Sequence, residues 1–164
     1  MSEHDLVVSQ GRAQYLSRHF ACTLGLGGTT DNKHEGDGAT PSGNHLITGC
    51  LYRSDRLDAP NKWAKPILPE DFWSNDSADL NYNRLVHAPH TFSHEELHRA
   101  DHLYDLILLT DWNRPDAIAN KGSAIFIHRW RKPGHPTAGC VAFAPDDLVW
   151  IASRASLGTR VIIS

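Results

Sequence analysis

Short segments of apolar or alternating apolar and polar residues, separated by turn-forming residues, follow one another along this chain. Segments of about four to eight such residues, bounded by Gly, Pro, Asn or Asp, are typical of β-strands. The segments with this pattern are 6–8, 14–24, 45–52, 103–110, 122–128 and 159–164. The pattern predicts a mainly β (β+α) fold in which residues 1–164 form a single domain.

Two short helices are expected among these strands. The sequence PDDLVWIA, which starts at Pro145, has Pro followed by two Asp residues in its first turn and an apolar face behind them, a pattern that favours a helix start. A second, polar helix is expected near 93–101, with Ser93 as N-cap and Glu96 completing a capping box. Two long loops are also expected. One is the glycine-rich segment 25–43, and the other is the proline-rich segment 58–92, which is expected to pack over the domain as a covering segment.

Composition limits the classes of partner. The 164 residues are 40% hydrophobic and 21% charged, with a formal net charge of -3 and scattered Lys and Arg. This composition is typical of a soluble globular domain and gives no basic surface for nucleic acid. No apolar run approaches the roughly 20 residues that a membrane-spanning helix needs. The sequence therefore predicts neither a nucleic-acid partner nor a membrane span, and it leaves the oligomeric state open.

The N-terminal residues and the cysteines bear on the compartment. The start MSEHDLVVSQ has early acidic residues and only the short apolar run LVV, whereas a secretory signal has a basic segment and about 7–15 apolar residues. If Met1 is the native start, the expected location is the cytoplasm, and if a signal has been removed it is the periplasm.

The three cysteines, Cys22, Cys50 and Cys140, are an odd number, and in a reducing compartment all three are expected to be thiols.

The pentapeptide HEELH at 94–98 matches the H-E-x-x-H pattern of zinc proteases. A third ligand is hard to find, because His102 would lie about 12 Å from His94 along one helix, whereas Zn–N distances are about 2 Å. A solvated, capped helix explains the segment better, so no metal site is predicted. A zinc enzyme built on HEELH is kept as the less favoured alternative.

The segment 122–142 offers a different chemistry. An apolar run, AIFI, leads to His128, and a loop rich in Arg, Lys, Pro and Gly leads on to Gly139 and Cys140. A cysteine needs a neighbouring base to become a nucleophile, and backbone N–H groups beside a glycine can stabilise an oxyanion. His128, fixed at the end of a strand, is preferred as base over His135 in the flexible loop. Cys22 and Cys50, inside strand patterns, are expected to be buried core residues.

Four segments, taken in order, resemble the catalytic domain of the L,D-transpeptidase (YkuD-type) family. They are KHEGDGATPSG at 33–43, HLYDLILLTDWN at 102–113, GSAIFIHRW at 122–130 and PTAGCVA at 136–142. The resemblance implies a β-sandwich-like fold with a few short helices and a long active-site loop, no cofactor, and peptidoglycan stem peptides as substrates. It further implies that Cys140 attacks the diaminopimelate carbonyl in the L,D bond to the terminal D-alanine, with His128 as base. The acyl group would then pass to an amine or to water.

The match to the family pattern is uneven. Thr137, Gly139 and Cys140 fit it, whereas Ala138 stands where a His is common and Ala142 where an Arg or Asn is common. Arg129 follows the His, and the resemblance implies that its backbone carbonyl orients the imidazole. The candidate substrate-binding residues are Arg84, Tyr104, Asn113, Trp130, Arg131, Thr137 and Ala138; exposed surface arginines and a buried core tyrosine are the alternative interpretations for Arg84, Arg131 and Tyr104.

The two alanines and the expected cytoplasmic location favour hydrolysis over cross-linking. The predicted function is therefore an L,D-carboxypeptidase that trims peptidoglycan tetrapeptides to tripeptides in muropeptide recycling. An exported L,D-transpeptidase is the main alternative. A muropeptide-binding domain without catalysis is another, which the presence of both His128 and Cys140 makes less favoured.

Overall fold

The computed structural model of the protein describes residues 2–164. Its strands are β1 (Leu6–Ser9), β2 (Arg12–Tyr15), β3 (Arg18–Thr23), β4 (Thr29–Thr30), β5 (Thr40–Pro41), β6 (Gly43–Tyr52), β7 (Lys65–Pro66), β8 (Asp71–Ser74), β9 (Leu85–His87), β10 (His94–Glu96), β11 (Leu106–Thr110), β12 (Phe126–Arg129), β13 (Val141–Phe143) and β14 (Arg160–Ile163). The α-helix in this part of the chain is α1 (Pro145–Ala152). None of the helices described is long and apolar enough to cross a membrane.

Eight strands pair into a closed ring. The order is β11-β12-β13-β3-β2-β1-β14-β6, and β6 returns to β11. β6 takes part in two sheets, because residues 43–46 pair with β14 and residues 47–52 pair with β11. β3 does the same between β2 and β13. The two sheets thus share strands and enclose apolar residues from both, which gives the β-sandwich-like fold that was predicted.

The main core lies between the two sheets. Val8, Phe20, Ile47, Leu108 and Phe143 meet there, and each fully buried aliphatic side chain stabilises the fold by about 1.5–3 kcal/mol. The helix α1 adds its apolar face, which consists of Leu148, Ile151 and Ala152, and Pro145 stands at its start as predicted.

A second core covers the outer face of β11 and β12. Because side chains alternate along a strand, Leu106 and Leu108 of β11 join the main core, while Ile107 and Leu109 join the second. This second cluster also contains Ile67 and Trp73 from the covering segment 58–92, and Leu97, which follows β10. Cys140, Tyr104 and Ala124 belong to the same cluster, so the covering segment packs directly beside the residues of chemical interest.

Three sequence predictions of secondary structure are corrected. The helix near 93–101 is wrong: residues 94–96 form β10, which pairs with β8. The strand 14–24 is a hairpin, because Leu16 and Ser17 have φ angles of 48° and 62° and reverse the chain between β2 and β3. The covering segment 58–92 is not wholly irregular, since it contains β7, β8 and β9, and β8 and β9 form a three-stranded sheet with β10. Residues 2–164 therefore contain one α-helix rather than two.

Candidate active site

His128 is held in the middle of a sheet. It pairs with Ile107 of β11 on one side and with Ala142 of β13 on the other, and its side chain is 3% exposed. Its Nδ1 lies 2.7 Å from the backbone carbonyl of Arg129. A carbonyl can only accept, so Nδ1 carries the proton and Nε2 is left with its lone pair. The carbonyl of Arg129 thus makes the contact that the family resemblance implied for it.

The imidazole of His128 is poised as a neutral base. Burial, helped by the positive charges of Arg99 and Arg131, lowers the pKa of His128 to about 4, against the opposing hydrogen bond to Arg129. At neutral pH the ring is therefore uncharged. Tyr104 packs edge-on against it with ring centroids 5.3 Å apart, which fixes the plane of the imidazole.

Cys140 ends the loop that leads into β13. Its Sγ donates to the carbonyl of Ala124 at 3.1 Å and accepts from the backbone N–H of Phe126 at 3.4 Å. Burial, together with the negative charge of Glu95, raises the pKa of the Cys140 thiol to about 12. The resting residue is a protonated thiol, so its attack on a carbonyl requires a base that removes the proton at the same time.

The turn before Cys140 is tied by Thr137. The Oγ1 of Thr137 donates to the carbonyl of Cys140 at 2.7 Å and accepts from the N–H of Gly139 at 3.1 Å. The N–H of Gly139, predicted to help form an oxyanion hole, is thus engaged within the turn. Thr137 is itself held through backbone hydrogen bonds with Leu24 and Leu26. The candidate nucleophile therefore sits on a turn that is fixed from both ends.

Gly139 is required by its surroundings. Its φ is +139°, and a Cβ at this position would meet the carbonyl oxygen of Ala39 at 2.8 Å. Only glycine adopts this backbone conformation without strain. The carbonyl of Ala39 belongs to the glycine-rich segment 25–43, which therefore lies directly against the turn that carries Cys140.

The glycine-rich segment is ordered by buried polar contacts. The buried ammonium of Lys33 donates to Asp37 Oδ1 at 2.5 Å and to the carbonyl of His34 at 2.7 Å. The carboxylate of Asp37 also accepts from the backbone N–H of Ala39, and the hydroxyl of Thr40 accepts from the N–H of Gly25 at 2.8 Å. These contacts fix the wall against which the Cys140 turn rests.

His128 and Cys140 line one cavity of about 360 Å³. The sequence-predicted residues that also line it are Tyr104, Trp130, Arg131, Thr137, Ala138 and Gly139. His135, the competing base, lies on the same cavity in an exposed position. A thiol, a neutral imidazole and an adjoining cavity are the parts that acyl transfer through a thioester needs.

Three predicted residues take other positions. Arg84 donates to the carbonyl of Pro115 at 3.1 Å and borders a separate cavity. The side-chain amide of Asn113 donates to the carbonyls of Ile118 and Gly122, so it holds the loop after β11. The side chain of Arg129 points toward Asp105, with 3.7 Å between Nη1 and Oδ2, and only its backbone reaches His128.

Sequence reasoning missed several residues that line the cavity, and Glu95 and Ser123 are two of them. Glu95 is the first of the two glutamates of HEELH, and the mistaken helix placed it on a solvated surface. In β10, His94 instead stacks on Phe72 with ring centroids 4.2 Å apart, and Glu95 lies on the opposite face of the strand. Within residues 2–164 no group of three or more His, Cys, Asp or Glu residues is arranged to hold a metal ion.

Comparisons with known proteins identify the family of this chain. The family model described as the L,D-transpeptidase catalytic domain (YkuD) matches residues 2–163. The chain belongs to this family, as its motifs predicted. The solved structure of an L,D-transpeptidase from Mycobacterium smegmatis is similar at 12% sequence identity and a TM-score of 0.47, over 97% of this chain and 57% of that one. The chain thus spans little more than half the length of that structure, and no curated protein matches it.

Proposed function

We propose that this domain is a cysteine-dependent L,D-carboxypeptidase that removes the terminal D-alanine from peptidoglycan tetrapeptides. The observation that carries the proposal is the joint position of His128 and Cys140 on one cavity, with Nδ1 of the imidazole tied to the carbonyl of Arg129. Membership of the L,D-transpeptidase catalytic domain family supports the substrate class.

The first half of the reaction makes a thioester. Nε2 of His128 takes the proton of the Cys140 thiol while Sγ attacks the carbonyl carbon of the diamino acid residue. The tetrahedral intermediate then collapses, the C–N bond breaks, and the imidazolium returns its proton to the departing amine of D-alanine. At neutral pH the imidazole is uncharged, so it can accept the proton of the thiol and release it to the departing amine within one turnover.

The second half hydrolyses the thioester. His128 takes a proton from water as the water attacks the acyl carbon, and the Cys140 thiolate leaves and regains the proton. The tripeptide is released with a free carboxylate. Two features support water over a second peptide as the acceptor. Ala138 leaves an apolar methyl where the family commonly has a His, and a cavity of about 360 Å³ is at the small end for ligand sites.

The proposal is tested with a disaccharide tetrapeptide, incubated with and without a tripeptide acceptor and followed by mass spectrometry. We expect D-alanine and tripeptide as products, no reaction with Cys140→Ala, and no effect of a chelator. Cross-linked dimer would identify the domain as a transpeptidase. Inhibition by the chelator alone would refute the thiol mechanism. The cytoplasmic location stays a prediction, and cell fractionation tests it.

A further inference from the structure

The half-buried side chain of Glu95 lines the same cavity as the candidate nucleophile and is not needed for the chemistry above. Glu95 pairs with Trp73 across β10 and β8, and paired residues share a face of the sheet, so its side chain points inward. Its Oε2 accepts from the hydroxyl of Tyr104 at 2.5 Å. Among residues 2–164, Tyr104 is the one hydrogen-bond donor to this carboxylate, which leaves Oε1 free to accept from a ligand in the cavity.

Ser123 supplies a second unused acceptor in the same cavity. It lines the cavity with Glu95 and Cys140, and its side chain is 8% exposed. Its Oγ is buried and has no hydrogen-bond partner among residues 2–164. Buried hydroxyls without partners are rare in folded proteins, because a polar group that leaves water without a new hydrogen bond destabilises the fold. A polar group on the substrate would satisfy it.

No protein cation neutralises Glu95 by direct contact among the described residues. Lys33, which lines the same cavity, is already paired with Asp37. Arg99 is paired with Asp101 and acts on Glu95 only through its charge. Glu35, on the cavity wall, adds a further negative charge and accepts from the hydroxyl of Tyr82. Burial raises the pKa of Glu95, and a cation in the cavity would stabilise its charged form.

We propose that Glu95 and Ser123 form the subsite that binds the side-chain ammonium group of the diamino acid whose carbonyl Cys140 attacks. This inference rests on the proposed function and names the group by which the site selects its substrate. An ammonium presents three N–H donors. Oε1 of Glu95 and Oγ of Ser123 take two of them, and Tyr104 holds Oε2 so that the carboxylate stays in place.

The kinetic test compares two tetrapeptides. One carries the diamino acid, and in the other the side-chain ammonium is replaced by hydrogen while the side-chain carboxylate is kept. For the wild-type protein we expect the KM of the deaminated peptide to be about tenfold to 100-fold higher, the range for losing a charged hydrogen bond in a buried site, with kcat nearly unchanged. Equal KM values for the two peptides would overturn the proposal without the use of any variant.

The variant Glu95→Gln then tests whether the preference for the ammonium peptide depends on the charge of Glu95. Glutamine still accepts from Tyr104 but has no charge, so we expect the preference for the ammonium peptide to fall to less than threefold. Glu96→Gln is the matched control, since it removes the same charge from the neighbouring, exposed residue of β10 and should keep the preference. A Glu95→Gln protein that melts like the wild type and still prefers the ammonium peptide would refute the assignment.

Ser123→Ala covers the case in which Glu95→Gln fails to fold. We expect it to raise the KM of the ammonium peptide by about threefold to tenfold and to leave the deaminated peptide unaffected. An equal effect on both peptides would mean that Ser123 acts only on the structure of the segment before β12, and would contradict the proposal.

Binding to Cys140→Ala, measured by calorimetry with the same two peptides, separates this inference from the proposed function. If the wild type cleaves neither peptide but Cys140→Ala binds the ammonium form more tightly, the carboxypeptidase proposal fails and the subsite stands. If cleavage is confirmed but binding shows no preference, the subsite fails alone.

Discussion

The protonation states of His128 and Cys140 determine how this site can react. Both groups are neutral at rest, because burial lowers the pKa of the imidazole to about 4 and raises that of the thiol to about 12. The site therefore does not store a thiolate–imidazolium pair. In the proposed mechanism one proton moves during the attack, and a thiol that stays protonated between turnovers resists oxidation, since the thiolate is the form that oxidises.

The lowered pKa of His128 predicts the pH profile. A protonated imidazole cannot accept the thiol proton, so we expect kcat/KM to fall only as the pH drops through about 4, and not near the ordinary value of about 6.5. Rates between pH 3.5 and 8, with thermal unfolding measured at each pH, check this. Arg131→Gln removes one of the charges that lower the pKa, so its acid limb should move to higher pH, while the distant Arg12→Gln should leave it unchanged. An acid limb near 6.5 in the wild type would contradict the assignment.

Gly139 carries a second prediction at this scale. Gly139→Ala places a methyl group against the carbonyl of Ala39 and forces φ = +139° on a residue with a side chain. We expect a loss of about 1–3 kcal/mol in the free energy of unfolding and at least a tenfold lower kcat/KM, because the Cys140 turn must shift. Denaturant unfolding and steady-state rates measure the two effects.

The control for Gly139→Ala is Gly134→Ala. Gly134 also has a positive φ, but a Cβ there would meet nothing within 4 Å. The Gly134→Ala protein should lose stability through backbone strain alone and keep most of its activity. Equal losses of activity in the two variants would show that the close approach to Ala39 is unimportant.

The residues that line the site differ in how far their positions could be predicted from the sequence. His128 and Cys140 could be predicted, because a strand end and a glycine turn have local signals. Glu95 could not, since the capping pattern from Ser93 to Glu96 favours a helix and only pairing with β8 makes the segment a strand. Ser123 lies within the segment GSAIFIHRW, but no local signal marks its hydroxyl for binding, and its position depends on the buried segment 122–125 that precedes β12.

Among the elements, the covering sheet of β8, β9 and β10 has the most direct link to the site. The indole N–H of Trp73 in β8 donates to Asn83 Oδ1 at 3.0 Å, which also accepts from the N–H of Ala124 at 3.0 Å. Ala124 in turn accepts from the thiol of Cys140. A chain of hydrogen bonds thus connects the covering sheet to the sulfur atom.

Trp73→Phe tests this connection. The change removes the indole N–H and part of a side chain that is 1% exposed, so we expect about 1–3 kcal/mol of destabilisation and a lower kcat. Trp150→Phe is the comparison, because Trp150 packs on Phe20 against the main core and does not line the cavity. It should lose stability with no change in kcat. A Trp73→Phe protein with unchanged kcat would exclude the connection.

The strands were predictable where alternation or an apolar run marks them, as in β6, β11 and β14. The turn between β2 and β3 was not, because hairpin turns with two positive φ angles favour Asn and Gly, whereas this one has Leu16 and Ser17. The short strands β8 and β10 are defined by their partners more than by their own residues, and a single sequence does not reveal such partners.

At the scale of the whole molecule, the closed ring predicts a single cooperative unit. Cys22 in β3 and Cys50 in β6 lie in different parts of the ring but in the same core, and both thiols are free. In the Cys140→Ala variant, we expect a thiol reagent to modify Cys22 and Cys50 only when the whole domain unfolds. The free energy of the opening that exposes each thiol should therefore be the same for the two residues. Labelling kinetics followed by peptide mass mapping measure the two values. Two clearly different free energies would mean that residues 1–164 are not one domain.

The position of β14 in the ring has a consequence for synthesis of the protein. β14 lies between β1 and β6, so a nascent chain that lacks residues 160–163 leaves two strand edges open. The ring can close only after these residues have left the ribosome, although every residue proposed for the site has already emerged. Sheets that depend on such distant pairings fold slowly, in about milliseconds to seconds, and open edges are the sites at which chains aggregate. The protein therefore passes through a vulnerable interval after the residues of the site have emerged and before residues 160–163 follow, and shielding by a chaperone would matter most in that interval.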